Sequence, residues 1–456
     1  MRSAGQWTTS RGRIAALAIA LFVSWPLASF QIAAPSALAL TSASPLNPDE
    51  PSTFSLQPAA FLPSPPAEET RALWVLRTSL TTPESIATLV RSARDHGFNT
   101  LLLQVRGRGD AYYRGGAEPR PADLTRQPDS FDPLATAIQS AHAAGLRVHA
   151  WVNVNLVSSA VDLPTARAHV VYRHPSWLMV PRDIAQELAK IEPESPVYLG
   201  KIARWTRTQS AGVEGIYASP ILPEAAQYTE AIVRDLTRRY GLDGVHFDYV
   251  RYPNDRFDYS RAAIREFRKS VRPRLSEATR RTLDAEEAVN LFAYPDGLQD
   301  EWRSFRVARM TALMARLGAA VKAERPTALV TVAAAPDVRD AYDRKMQDWR
   351  AWLADGLIDA ICPMAYTTEP ARFAEQIAAA RDAAGARAVW AGIGAYRLTP
   401  KETIEHIQIA RRLGTTGVIL FSYDSIMDAR HTAPDYLSIV GRAAFATAPT
   451  TAGGSR

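Results

Sequence analysis

The chain has 456 residues, 47% of them hydrophobic and 22% charged, which is enough apolar content to bury a large core and excludes global disorder. A formal net charge of +6 is too mild to argue for a nucleic-acid partner. The single cysteine, Cys362, excludes an internal disulfide framework and a cysteine-based metal site, and within "IDAICPMAY" it reads as a small apolar core residue.

The N-terminus has the form of an export signal. Arg2, Arg11 and Arg13 precede the apolar run "IAALAIALFVSWPLASF", and Ala37 and Ala39 in "SALAL" give the small-x-small pattern of a cleavage site after Ala39. Residues 1–39 are therefore expected to be a signal peptide, with secretion or a periplasmic, cell-envelope location, and a membrane contact only if the leader stays uncleaved. Its loss would halve the net charge. Residues 40–68, rich in Pro, Ser and Ala without helical or strand period, are expected to be a disordered linker, and 447–456 a disordered tail.

From "ETRALWVLR" onward, strand-like runs alternate with amphipathic helical ones, the signature of a parallel α/β sheet or barrel. Eight strands are predicted: "RALWVLR" from 71, "NTLLLQVR" from 99, "RVHAWVNVN" from 147, "GVHFDYVRY" from 244, "ALVTVAAAP" from 328, "IDAICPMAY" from 358, "AVWAGIGAY" from 388 and "GVILFSYD" from 417. Helical segments such as "TPESIATLVRSARDHG", "DPLATAIQSAHAAG" and "TPKETIEHIQIARRLG" each enter at a proline or acidic cap and leave at glycine. Eight β/α units are what a closed (β/α)8 TIM barrel requires, and residues 69–446 are assigned to it. No Gly-rich phosphate turn follows the first strand, so a doubly wound dinucleotide fold loses its main support. Two long insertions, residues 156–222 after the third strand and 254–300 after the fourth, follow strand C-termini and are expected to wall a groove, with Trp177, Tyr198, Trp205 and Tyr217 as candidate stacking platforms.

Strand parity then nominates a site. In "GLDGVHFDYVRYP", Val245, Phe247 and Tyr249 share one face, and His246 and Asp248 share the other, which points into the barrel. The same alternation turns His149, Trp151 and Asn153 inward in the third strand, Gln104 and Arg106 in the second, Thr331, Ala333, Ala335 and Asp337 in the fifth, and Ser422 and Asp424 in the eighth. The predicted rim gathers Arg106, Asn153, Asp248, Asp337, Tyr366, Tyr396 and Asp424, with Asp110 and Tyr113 just beyond the second strand. Carboxylates, amides, a guanidinium and aromatic faces together suit a sugar, which offers hydroxyls to polar groups and C–H faces to rings. Glycosidic cleavage needs two acids, and Asp248 with Asp337 or Asp424 are the candidates. Arg106, Asp110, Tyr113, Trp151, Asn153, His246, Tyr366 and Tyr396 are candidate substrate-binding residues. There is no HExxH, P-loop or GxSxG, and His149 and His246 have no third ligand nearby in sequence, so neither a metal nor another cofactor is expected. The arginines of "RGRGD" would favour an acidic glycan.

"ETRALWVLR", "LLLQVRGRGDAYY", "FDPLATAIQSAHAAGLRVHAWVN", "HPSWLM" and "GLDGVHFDYVRYP", in this order, resemble the bacterial glycosyl-hydrolase-like family of TIM-barrel proteins that includes the hydrolase of denuded peptidoglycan glycans. The resemblance implies a (β/α)8 barrel, an envelope location and action on glycan chains from which peptides have been removed. Where that family often carries two adjacent aspartates on the fourth strand, this chain has Asp248 and Tyr249. A second similarity is to chitinase-like glycosidases, with Asp243, His246, Asp248 and Val250 on the four positions of D-x-x-D-x-D-x-E and Met364 and Tyr366 kept, but with the terminal acid missing. The expected function is a glycoside hydrolase acting on a cell-envelope polysaccharide, with peptide-free peptidoglycan strands as the expected substrate, by carboxylate acid/base catalysis. The alternative is a noncatalytic glycan-binding barrel.

Overall fold

The computed structural model describes residues 69–428, 433 and 435–445. The expected leader, linker and tail lie outside the described residues. Among the described residues ten strands form: β1 (Thr70–Val75), β2 (Thr100–Arg106), β3 (Arg147–Asn153), β4 (Leu156–Ser159), β5 (Gly215–Tyr217), β6 (Gly244–Asp248), β7 (Leu329–Ala334), β8 (Ala360–Ala365), β9 (Ala388–Ile393) and β10 (Gly417–Phe421). Eight of them close a barrel in the order β1-β10-β9-β8-β7-β6-β3-β2, every neighbouring pair parallel. These are the eight strands read from the sequence.

The helices between them start where the cap chemistry lies. Thr82 accepts from the Ser85 amide ahead of Pro83–Asp95, Asp132 from the Ala135 amide ahead of Pro133–Ala143, and Thr399 from the Glu402 amide ahead of Pro400–Arg412. Gly97, at φ 80°, ends the first of these in a conformation that an L-residue with a side chain rarely adopts.

Parallel strands in register turn paired residues to the same side. Ala72, Trp74, Leu102, Trp151, Ala360, Cys362, Trp390 and Ile419 fill the barrel interior, whereas Leu101, Leu103, Val148, Val152, Val245 and Phe247 belong to the larger core. His246 is inside, bonded to Trp74 and Thr331. Two parity expectations fail at strand ends. The β2–β3 register slips between Gln104 and Arg106, so Gln104 sits opposite inward Trp151 but Arg106 sits opposite outward Val152. One extra residue in a strand reverses every side chain after it, and Arg106 leaves the barrel interior. Tyr249 follows the last residue of β6 with φ 53°, a left-handed conformation uncommon for an aromatic residue. At this φ the pleat of β6 does not continue through Tyr249, whose ring packs 6.0 Å from the Tyr217 ring, with the Arg251 guanidinium 4.0 Å from its centre.

The two long insertions share a hydrophobic core of their own. β4 pairs antiparallel with β5, and Val157, Ile216, Tyr198, Ile202, Tyr259, Phe267, Tyr294 and Trp302 pack together from both insertions and from the helix Gln299–Glu324. The segments are thus folded against each other over the strand ends.

Candidate active site

Asp248 ends β6 opposite Asn153 of β3, with 6% of the residue exposed. Its Oδ1 accepts from the Tyr249 amide at 2.6 Å, and Arg251 Nη1 stands 4.0 Å from the same oxygen. Burial pushes this carboxyl above its ordinary range; Arg251, the Tyr249 amide and the Trp151 indole oppose the rise, and the negative charge of Glu214 adds to it.

Glu214 was not nominated by the sequence. It immediately precedes β5, and its Oε1 lies 3.5 Å from Arg251 Nη2 while its Oε2 accepts from the Tyr217 hydroxyl at 2.7 Å. Burial works to raise this carboxyl, but Arg251, Lys345 and the Tyr217 hydroxyl outweigh it and hold Glu214 below the usual range. Two carboxylates thus flank one guanidinium, with opposite shifts. Lys345 itself donates to the Pro253 carbonyl at 2.5 Å, and burial lowers its pKa.

Aromatic rings form the neighbouring surface. Tyr366 stacks on Phe421 with centroids 5.3 Å apart and meets Tyr396 edge-on at 6.1 Å, and Trp74 and Trp151 lie beneath Phe421 at 6.0 and 6.4 Å. Tyr396 is 39% exposed, and Asp248 is close enough to raise the Tyr366 hydroxyl further after burial has done so. Flat apolar faces beside a raised carboxyl are what a pyranose ring and its glycosidic oxygen would meet.

The other nominated residues are engaged elsewhere. Asp337 is exposed beyond the end of β7, where Pro336 has already broken the strand, and its carboxylate caps the helix Val338–Asp343 by accepting from the Asp340 amide at 2.7 Å. Asp424 accepts from the Leu76 amide at 2.7 Å, the Thr78 hydroxyl at 2.9 Å and the Ser79 hydroxyl at 2.7 Å, tying the end of β10 to the loop after β1. Arg106, 1% exposed, spends its guanidinium on Glu118 at 2.6 and 2.7 Å and on the carbonyls of Asn153 and Val154. Asn153 accepts from the Trp151 indole at 2.8 Å and donates to the Gly107 carbonyl at 2.8 Å, so this pair holds the rim rather than a ligand.

His246 accepts from the Trp74 indole at 3.0 Å and meets the Thr331 hydroxyl at 2.9 Å, sealed below the rim. Tyr113 is buried against Tyr240. Asp110 accepts from the amides of Gly107 and Arg108 and lines a separate cleft with Arg77, Arg108 and His169. Among the proposed stacking platforms, Tyr198 and Tyr217 are buried, Trp205 packs on Phe257, and Trp177 stacks on His174 at 3.8 Å. Among the described residues, no group of three or more His, Cys, Asp or Glu is placed to hold a metal ion.

A family model described as glycosyl hydrolase-like 10 matches residues 69–404. The chain is 26% identical over 286 residues to glycosyl hydrolase DigH of Escherichia coli strain K12, covering 59% of this chain and 55% of that protein. It is 23% identical over 299 residues to glycosyl hydrolase YngK of Bacillus subtilis strain 168, covering 61% of this chain and 48% of that protein. The chain spans about half the length of these curated relatives. Among solved structures it is similar to the PgaB (BpsB) glycoside hydrolase domain from Bordetella bronchiseptica, with a TM-score of 0.58 at 15% identity over 83% of this chain and 100% of that one. The catalytic domain of β-amylase from Paenibacillus polymyxa gives a TM-score of 0.56 at 9% identity, again over 83% of this chain and 100% of that one. At these identities the structural likenesses show the barrel fold.

Proposed function

The chain belongs to the glycosyl hydrolase-like 10 family, and on that premise we propose that it is a glycoside hydrolase cutting within a cell-envelope polysaccharide, with peptide-free peptidoglycan strands as substrate. The observation that carries the reading is the Asp248 carboxyl, raised by burial at a strand C-terminus and neighboured by the Tyr366, Phe421 and Tyr396 rings. A carboxyl that keeps its proton nearer neutrality is suited to protonate a leaving glycosidic oxygen. The envelope location rests on the leader-like residues 1–39, and the choice of glycan rests on the motif resemblance. Incubating the protein without residues 1–39 with intact and with peptide-free peptidoglycan strands, then weighing the soluble products, tests this. Fragments are expected from the peptide-free strands, and their absence would sink the proposal.

A second reading, a noncatalytic glycan-binding barrel, draws on Tyr249 standing where relatives often place a second aspartate. It predicts that the protein sediments with the strands and leaves them whole.

A further inference from the structure

Hydrolysis by an acid pair requires one carboxyl that holds a proton and one that stays ionised, both within reach of the same sugar ring. β5 and the end of β6 bring such groups together. Arg251, with only 9% of its side chain exposed, directs Nη2 to Glu214 Oε1 at 3.5 Å and leaves Nη1 without a hydrogen-bond partner among the described residues, 4.0 Å from Asp248 Oδ1. A buried guanidinium nitrogen with no hydrogen bond is costly, and an oxygen of a bound sugar or water between the carboxylates would satisfy it. Glu214 keeps 26% of its side chain exposed, with Oε2 taken by the Tyr217 hydroxyl at 2.7 Å and Oε1 facing Arg251 Nη2 at 3.5 Å.

The backbone behind it is fixed. A Cβ at Gly215 would stand 1.9 Å from the Ser158 carbonyl oxygen, so only glycine lets β5 lie against β4 here. Glu214 is thereby set by strand pairing rather than by a free loop.

Resting on the glycosidase reading above, we infer that Glu214 is the second catalytic carboxylate, the base that activates water while Asp248 acts as the acid. In the step, the Asp248 proton passes to the glycosidic oxygen, and the anomeric carbon–oxygen bond breaks with its electron pair staying on that oxygen. The water oxygen bonds to the anomeric carbon and gives one proton to Glu214. That proton returns to Asp248 through solvent, so each turnover consumes one water and yields two hydroxyl ends.

The charged neighbours agree with this division. Glu214 faces Arg251, Lys345 and the Tyr217 and Tyr249 hydroxyls, and it stays ionised. Asp248 faces Arg251, Glu214, Tyr249, Trp151, Tyr366 and Cys362, and burial with the Glu214 charge raises its carboxyl above the ordinary range.

The test is the pH profile of kcat/KM on peptide-free glycan strands for wild type, Glu214→Gln, Glu214→Asp and Asp248→Asn, with Tm recorded for each. Wild type is expected to give a bell, its acid limb set by Glu214 and its alkaline limb by Asp248. Glu214→Gln should lose about 10²- to 10⁴-fold, lack the acid limb, and show its alkaline limb at lower pH because the like charge on Asp248 is gone. Glu214→Asp should keep the acid limb at reduced rate, and azide should restore turnover to a Glu214→Ala variant. Wild-type-like rates in Glu214→Gln alongside a dead Asp248→Asn would overturn the assignment and leave the hydrolase reading standing. An inactive wild type would remove both.

Discussion

Two carboxylates stand at the C-terminal ends of barrel strands, Asp248 as the last residue of β6 and Asp424 after β10, and burial pushes both above the usual carboxylate range. They differ in their partners. Asp424 accepts from one amide and two hydroxyls of the loop after β1, so its oxygens are committed to holding two elements together. Asp248 accepts from the Tyr249 amide and faces, at 4.0 Å, an Arg251 nitrogen that has no hydrogen-bond partner among the described residues. A raised pKa alone does not separate structural from chemical carboxylates; the inventory of satisfied donors does.

The sharpest way to break this comparison is to neutralise each carboxylate. Asp248→Asn should cut glycan release by about a thousandfold or more with the Tm nearly unchanged, because the near-isostere removes the proton function but little volume. If Asp248→Asn is fully active and Asp424→Asn is dead, the comparison is inverted.

A second expectation concerns titratable groups sealed beneath the rim. Burial drives His149 down to about 4 from 6.5, and burial with the nearby His149 drives His246 well below its ordinary value. Neither ring nitrogen of His149 has a hydrogen-bond partner among the described residues. A histidine whose folded pKa is depressed binds its proton more readily in the unfolded chain. Stability is therefore full above about pH 6.5 and falls as pH drops toward 4, by about 3 kcal/mol from His149 alone. Urea midpoints between pH 4 and 7 check this; a flat series would mean that the histidines are not held neutral.

Asp424→Ala should destabilise the protein by about 2–3 kcal/mol in urea unfolding, since three donors lose one charged acceptor, while activity per folded molecule stays within a few-fold. The smallest effect is expected at Asp337. Its Ala variant loses a helix cap worth about 1 kcal/mol and should turn over glycan like wild type, and a large activity loss there would return Asp337 to the site.

The sequence made the barrel legible because eight apolar strand runs alternate with helices, five of which run from a proline to a glycine, enforced by local chemistry such as Thr82 before Pro83 or Gly97 after Asp95. Strand parity also turned His246 and Asp248 inward, since nothing interrupts the alternation within β6. It failed where the backbone departs from the pleat, at the β2 slip that redirects Arg106 and at Tyr249 with its positive φ. Asp337 and Asp424 lie past their strands' last residues, where period two no longer applies. Glu214 was invisible for another reason: β5 is only three residues long inside a long insertion, and what brings it to Arg251 is antiparallel pairing with β4, for which no periodicity speaks. The one local hint was Gly215 before two large apolar residues.

The most direct test of the central claim is hydrolysis of peptide-free glycan strands in ¹⁸O-labelled water, followed by mass analysis of the fragments from wild type and Asp248→Asn. The account predicts one heavy oxygen at the new reducing end for every bond cut by wild type, and no labelled ends above background from the variant. Intact strands with wild type, fragments without label, or equal labelling by both proteins would contradict it.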